Sequence, residues 1–291
     1  MSRETLGLLL GFLGVVIFGG TLPFTRLAVE ALDPWFVSAG RAALSGLLAA
    51  TTLVALRRPR PDAGDLRSLA LAALCLVGGF PVLTALAMQS VPASHGGVVL
   101  GVLPLATAAM SAFLGGERPS PAFWHAALAG AALVVGFALR DGGGRFERGD
   151  LYLAGAVAAS SLGYVLSGRL AQRGLGGWEV ISWILVISLP VTIPLTIVLA
   201  PSDPGAVPAW AWAGFAYVTI LSQYLGFFAW NAGLSLGGIA RVSQVQLLQT
   251  FVTLLIAAGL NGERVDAPTW AVAIVVVAMV LVGRRAAVQR T

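Results

Sequence analysis

The sequence predicts an all-α integral membrane protein with ten transmembrane helices, disposed as two related halves of five. Three observations carry that prediction: a composition too poor in charge to face water, a series of apolar runs of bilayer length, and an echo of the first half in the second. Of 291 residues, 57% are hydrophobic and 11% are charged, against about 25% charged in a soluble domain. Such a chain cannot dress a water-facing surface. A bilayer, which asks for an apolar exterior, makes the composition sensible.

A helix needs about 20 residues to cross the hydrocarbon core. On that scale the runs are 5–29, 35–56, 67–89, 94–115, 121–139, 150–170, 178–200, 209–234, 238–260 and 267–284. Gly, Pro and charged residues separate them, as at Arg57-Arg58-Pro59-Arg60-Pro61, Asp141-Gly142-Gly143-Gly144 and Pro201-Ser202-Asp203-Pro204. β-Barrel spans would instead alternate in polarity over about ten residues, and no run does so. The first run continues to Ala31 without a clean small-residue cleavage site, so it reads as a membrane helix and not as a cleaved signal.

All 18 basic residues are Arg. With the N-terminus inside, the cytoplasmic segments hold Arg3, Arg57, Arg58, Arg60, Arg67, Arg118, Arg169, Arg173, Arg284, Arg285 and Arg290, and the opposite side holds Arg140, Arg145, Arg148 and Arg264. Eleven against four puts both termini in the cytoplasm and the chain, multi-pass, in the inner (plasma) membrane. Trp35, Trp124, Trp178, Trp210, Trp212 and Trp270 fall near span ends, as an aromatic belt does. Spread between spans, the Arg residues form no groove-sized patch for nucleic acid. Cys75 stands alone and His95 and His125 lack ligand spacing, so no disulfide, metal or cofactor is expected. The bilayer and a small-molecule substrate are the expected partners, and nothing requires an oligomer in place of a monomer. Gly142-Gly143-Gly144 has no Lys-Ser/Thr after it and reads as a joint, not a phosphate loop.

The halves are expected at 1–140 and 150–291, with 141–149 as linker. At an offset of 143, Arg26-Leu27-Ala28 matches Arg169-Leu170-Ala171, Gly20 matches Gly163 and Trp35 matches Trp178. At an offset of 146, Gly116-Glu117-Arg118 matches Gly262-Glu263-Arg264, Trp124 matches Trp270, and His95 falls on Arg241. Five is odd, so the second half enters the membrane from the opposite side. Inverted repeats of this kind build secondary transporters that work by alternating access. A membrane-embedded enzyme would want clustered acids or a Ser–His set inside the spans, and none is seen.

Gly-Glu-Arg-Pro-Ser-Pro at 116–121, its echo Gly-Glu-Arg-Val-Asp-Ala at 262–267, and Asp33-Pro34-Trp35 with Arg41 behind it resemble the drug/metabolite transporter superfamily. Within it the chain resembles the ten-helix EamA-type exporters, in particular the YddG-type amino-acid exporters. That resemblance implies two inverted five-helix repeats around a central cavity. It also implies efflux of small neutral metabolites, aromatic and other neutral amino acids foremost. The alternatives are an exporter of purines or of lipophilic drugs. The first span holds no acid between Glu4 and Glu30, and no Lys occurs, which argues against cationic drugs and phosphorylated substrates.

Candidate substrate-binding residues come from uncharged polar and aromatic positions within the spans. Gln246, Gln249, Thr250 and Thr253 share one helix face. That stripe either lines a cavity or bonds helices together. Tyr164 of the sixth run, and Trp230 and Asn231 of the eighth, supply aromatic and amide groups. Thr21 and Phe24 flank Pro23 in the first run, and Pro81 interrupts the third. His95 opens the fourth run, as a helix-end or gate residue. Arg41, about six residues or 9 Å into the second run, is expected to snorkel outward and pair with Glu30 or Asp33. All thirteen acids fall in loops or at helix ends, so a buried carboxylate for proton antiport is not expected.

Overall fold

The computed structural model describes residues 2–114, 117–237, 245–285 and 288–290. The first part of the chain forms α1 (Arg3–Gly19), α2 (Thr21–Val29), α3 (Pro34–Ala55), α4 (Ala63–Ala73), a π-helical stretch Leu74–Gly79, α5 (Phe80–Ala87), α6 (Ala93–Leu100), α7 (Leu103–Phe113) and α8 (Pro121–Asp141). The second part forms α9 (Arg148–Gln172), α10 (Gly177–Val198), α11 (Ala209–Ala216), a π-helical stretch Tyr217–Leu225, α12 (Gly226–Gly237), α13 (Gln249–Leu260) behind a 3₁₀ turn Gln246–Leu248, and α14 (Ala267–Arg285). One short antiparallel ladder joins β1 (Glu117–Pro119) to β2 (Val288–Arg290).

Each apolar run is helical over most of its described length, but not each reaches bilayer length. Among the described residues, six helical segments, two of them the joined α1–α2 and α4–α5, are long and apolar enough to cross a membrane, and α6 with α7, bent by 40° at their junction, make a seventh candidate. Gln246–Leu260 and Ala267–Val282 are apolar but shorter. The ninth run begins in 238–244, outside the described residues, as does His95's counterpart Arg241. The exterior is apolar: Val198 is 79% exposed, Val54 77% and Phe113 75%. In water those side chains would be a liability; against lipid tails they cost nothing. The protein is therefore a multi-pass membrane protein built from helices, with the one short ladder outside them.

The helices reverse direction in turn. Loops 30–33, 88–92, 142–147, 199–208 and 261–266 gather at one end, called distal here, and the start of α1, loops 56–62 and 173–176, Leu114 and residues 117–120 at the proximal end.

Two devices hold the bundle together where lipid gives no hydrophobic drive between helices. The first is close backbone approach of α1 to α12. A Cβ on Gly7 would lie 2.2 Å from the backbone nitrogen of Gly237, and one on Gly233 2.6 Å from that of Gly11. The second is repair of carbonyls freed by proline. Pro23 has no N–H to offer the Gly19 carbonyl one turn back. The Thr253 hydroxyl of α13 donates to it at 2.8 Å instead, which ties α13 to the α1–α2 junction. Gly20, at that junction, must lack a Cβ because one would meet the Tyr217 hydroxyl at 2.3 Å; that hydroxyl donates to the Ile17 carbonyl at 2.9 Å.

Candidate functional site

Charged side chains converge at the distal end. Glu263, in the loop before α14, accepts from the backbone N–H groups of Ala93 (2.7 Å) and Ser94 (2.8 Å). These are open donors at the start of α6, and an anion there also suits the helix dipole. The same carboxylate lies 3.6 Å from the Arg26 Nε of α2. Arg26 in turn donates to the Val91 carbonyl at 2.7 Å and to that of Met88 at 3.4 Å. One Arg–Glu pair thus fastens α2, the turn before α6 and the loop before α14 to each other.

His95 stands one turn further along. Its Nδ1 is 3.0 Å from Asp141 at the end of α8, and its Nε2 is 2.7 Å from Asp150 in the first turn of α9. The ring stacks on Phe137, centroids 5.0 Å apart. Asp150 is 8% exposed, and its second oxygen accepts from the Glu147 N–H at 2.8 Å. With both carboxylates ionised, both ring nitrogens must donate; an imidazole with one N–H leaves a lone pair facing an oxygen. Asp150 stands at a helix end, as the sequence placed it, but it is buried there against His95 of α6. Beside it Arg140 pairs with Asp266, which also caps α14 by accepting from the Thr269 N–H at 2.9 Å. The Thr269 hydroxyl and the Arg140 guanidinium hold the Asp266 carboxyl down at about 2. A polar cleft of about 330 Å³ opens here between His95, Asp141, Glu263 and Asp266. A larger apolar groove, about 560 Å³, lies between Leu44, Leu47 and Leu48 and the Trp212–Ile220 face, where lipid-facing leucines line it.

The other sequence candidates lie within the bundle. Thr21 shares a hydrogen bond with Ser222 at 2.8 Å, and Phe24 stacks on Tyr217 with ring centroids 3.8 Å apart. Both tie α2 to the second π stretch. Pro81 is buried in the first turn of α5, directly after the first π stretch. Trp230 packs its Cβ against Gly14. Asn231 donates to the Phe227 carbonyl at 2.7 Å, and its amide oxygen sits where a Cβ on Gly177 would fall. Thr250 is 7% exposed, its hydroxyl against Gly101. Tyr164 is half-buried beside the α4–α10 core, and Gln246 and Gln249 are half-buried with no hydrogen-bond partner among the described residues. The stripe on the ninth run is thus divided: Thr250 and Thr253 pack between helices, whereas the two Gln amides are open.

Arg41 does not snorkel. It is 2% exposed, and its Nε and Nη1 are buried without a hydrogen-bond partner. Its expected partners are engaged elsewhere: Glu30 lies 4.0 Å from Arg26, and Asp33 caps α3 by accepting from the Trp35 and Phe36 N–H groups.

The profile of the EamA-like transporter family matches residues 5–139 and again 147–283. The chain belongs to the EamA-like transporter family. An uncharacterized transporter, YdeK, from Bacillus subtilis (strain 168) is 46% identical to this EamA-like chain over 285 residues, 98% of this chain and 99% of the relative. A solved crystal structure at 22% identity superimposes with a TM-score of 0.64, covering 98% of this chain and 99% of that one. At that identity the likeness shows a shared fold. Membership and the named relative mark this EamA-like protein as a membrane transporter, which agrees with the family read from the Gly-Glu-Arg motifs.

Proposed function

We propose that the protein is a secondary transporter that exports small neutral metabolites, aromatic and other neutral amino acids foremost, by alternating access. The observation that carries the reading is the pair of half-buried amides, Gln246 and Gln249, without partners among the described residues. An unpaired amide within an apolar bundle is costly unless something else meets it. Gln offers donor and acceptor together, which suits either end of a zwitterion. Tyr164 supplies a ring for an apolar side chain.

The arrangement that goes with this function is ten spans in two inverted five-helix repeats, with the linker near 141–149. Two successive matches to one family profile, and the positive-φ glycines Gly143 and Gly144 between them, support it. The distal end is external, both termini are cytoplasmic in the inner membrane, and the transporter requires no oligomer. In that orientation the Glu263–Arg26 fastening closes the external side.

The test is uptake into proteoliposomes with a panel of labelled neutral amino acids, purines and lipophilic drugs, repeated with Gln246→Leu and Gln249→Leu at matched protein. Leu keeps approximate volume and removes the hydrogen bonds. A loss of about 1–3 kcal/mol in apparent affinity fits a lost polar contact. Unchanged kinetics in both variants would return the stripe to helix packing, and purine uptake without amino-acid uptake would replace the substrate class.

A further inference from the structure

Among the described residues, Arg41 is the buried cation that no carboxylate serves. Arg26 has Glu30 and Glu263, Arg58 has Glu179, Arg140 has Asp141 and Asp266, Arg173 has Asp65, and His95 has Asp141 and Asp150. None of these pairs includes Arg41, and Glu4 lies in the first turn of α1, at the proximal end. Arg41 is seven residues past Pro34, about 10 Å into α3 from its distal end. A guanidinium cannot shed its charge there, and an uncompensated ion in the interior is strongly unfavourable.

A second orphan points the same way. The Thr25 hydroxyl is 0% exposed and has no partner. Two buried contacts set Thr25 and Arg41 at the same level beside the second π stretch. Thr21 bonds Ser222, and Ser45 donates to the Thr219 carbonyl at 2.7 Å. Ser222 and Thr219 are neighbours on the second π stretch. Thr25 follows Thr21 by four residues in a helix running distally. Arg41 precedes Ser45 by four in a helix running proximally. Residues four apart share a helix face, so both orphans lie one turn distal of those contacts, on the faces turned to the same helix.

We infer that Arg41 and the Thr25 hydroxyl form an anion site, and that its ligand is the carboxylate of the transported solute. Buried N–H groups on Nε and Nη1 without a partner, on a side chain that keeps its charge, suit an anionic oxygen, and a hydroxyl adds a further donor. The inference deepens the amino-acid reading above and rests on it for the identity of the solute. Burial closes the site in this conformation, so a ligand enters only when the bundle opens and then shifts the population toward the bound state.

The experiment is thermal unfolding of the detergent-purified full chain with sodium acetate, sodium chloride, leucine or leucinamide, all at matched ionic strength. Acetate and leucine are expected to raise the midpoint, chloride and leucinamide to leave it unchanged. In Arg41→Met the half-maximal acetate concentration rises about tenfold or more, while the unliganded midpoint holds or rises because an unpaired buried charge has gone. Thr25→Val, nearly the same shape, keeps a weaker acetate response and covers the case in which Arg41→Met fails to fold. The assignment is overturned if acetate leaves the wild-type midpoint unchanged, if chloride protects as well as acetate, or if Thr25→Val responds as wild type does. A carboxylate response without uptake of any amino acid would leave the site standing and remove the proposed transport. Amino-acid uptake without an acetate response would do the reverse.

Discussion

Replacing Thr253 by Val tests the account of how this bundle tolerates a proline in its first span. Pro23 leaves the Gly19 carbonyl without its helical donor, and the Thr253 hydroxyl fills the gap at 2.8 Å. Valine keeps the methyl that packs on Gly97 and removes only the hydroxyl, so the packing change is small. A buried carbonyl left unpaired costs about 1–3 kcal/mol in proteins generally; side-chain hydrogen bonds between membrane helices average about 0.6 and reach about 1.7. Because Thr253 is 4% exposed and also lies 3.0 Å from the Gln249 carbonyl, water cannot readily replace it. We expect a loss of about 1–1.5 kcal/mol, measured by reversible unfolding in mixed micelles with added sodium dodecyl sulfate. The decisive arm is the same substitution in a Pro23→Ala background. Alanine restores the missing N–H, so Gly19 bonds within its own helix and Thr253→Val becomes nearly neutral. If Thr253→Val costs as much in the Pro23→Ala background as it does with Pro23 in place, the hydroxyl is not repairing the proline and the argument is wrong.

Further outcomes follow from the same structure. Gly233→Leu sets a side chain against the backbone of α1, where a Cβ alone would be 2.6 Å from the Gly11 nitrogen; it is expected to lower the unfolding midpoint by far more than Gly136→Leu, whose position is open, and equal effects would refute the close crossing. Glu263→Gln removes the charge that faces Arg26 and the start of α6, so the distal fastening loosens and a cysteine placed at Ser94 becomes faster to label from the distal side; an unchanged labelling rate would sink that role. Asp266 is held at about 2 against an ordinary 3.8, so its contribution to stability is complete above about 4 and is lost as pH falls through about 2. The midpoint difference between wild type and Asp266→Asn should therefore stay constant from pH 7 to about 5, and a decline within that range would show that Asp266 titrates higher. Reporters fused to the C-terminus and to residue 144 should report opposite sides of the membrane, cytoplasmic for the C-terminus; a periplasmic C-terminus would overturn the orientation drawn from the Arg count.

By itself the sequence determined the environment, the helical runs and the family. Those follow from quantities local to a stretch of chain: few charges, apolar runs with Gly and Pro between them, and the Gly-Glu-Arg motifs at 116–118 and 262–264. It also marked Pro23 and Pro81 within runs, and the structure has helix junctions at Gly20 and after Gly79. The π stretches at 74–79 and 217–225 carried no such mark, because a π turn is set by what packs against it. The site residues divided in the same way. Polarity within an apolar run was enough to single out Gln246, Gln249 and Tyr164, but not to separate them from Thr250 and Asn231, whose neighbours are on other helices. Arg41 was expected on Glu30 or Asp33, the nearest acids along the chain; only the fold shows that Arg26 and the start of α3 have taken them. Asp150 read as a loop-end acid because nothing within its own stretch reveals His95, 55 residues away in sequence and 2.7 Å away in space. Local composition decides where a helix forms and that it sits in a membrane, since each residue meets the bilayer on its own account. Which polar group is satisfied and which is left open depends on partners brought together from distant segments, and that only the tertiary structure decides.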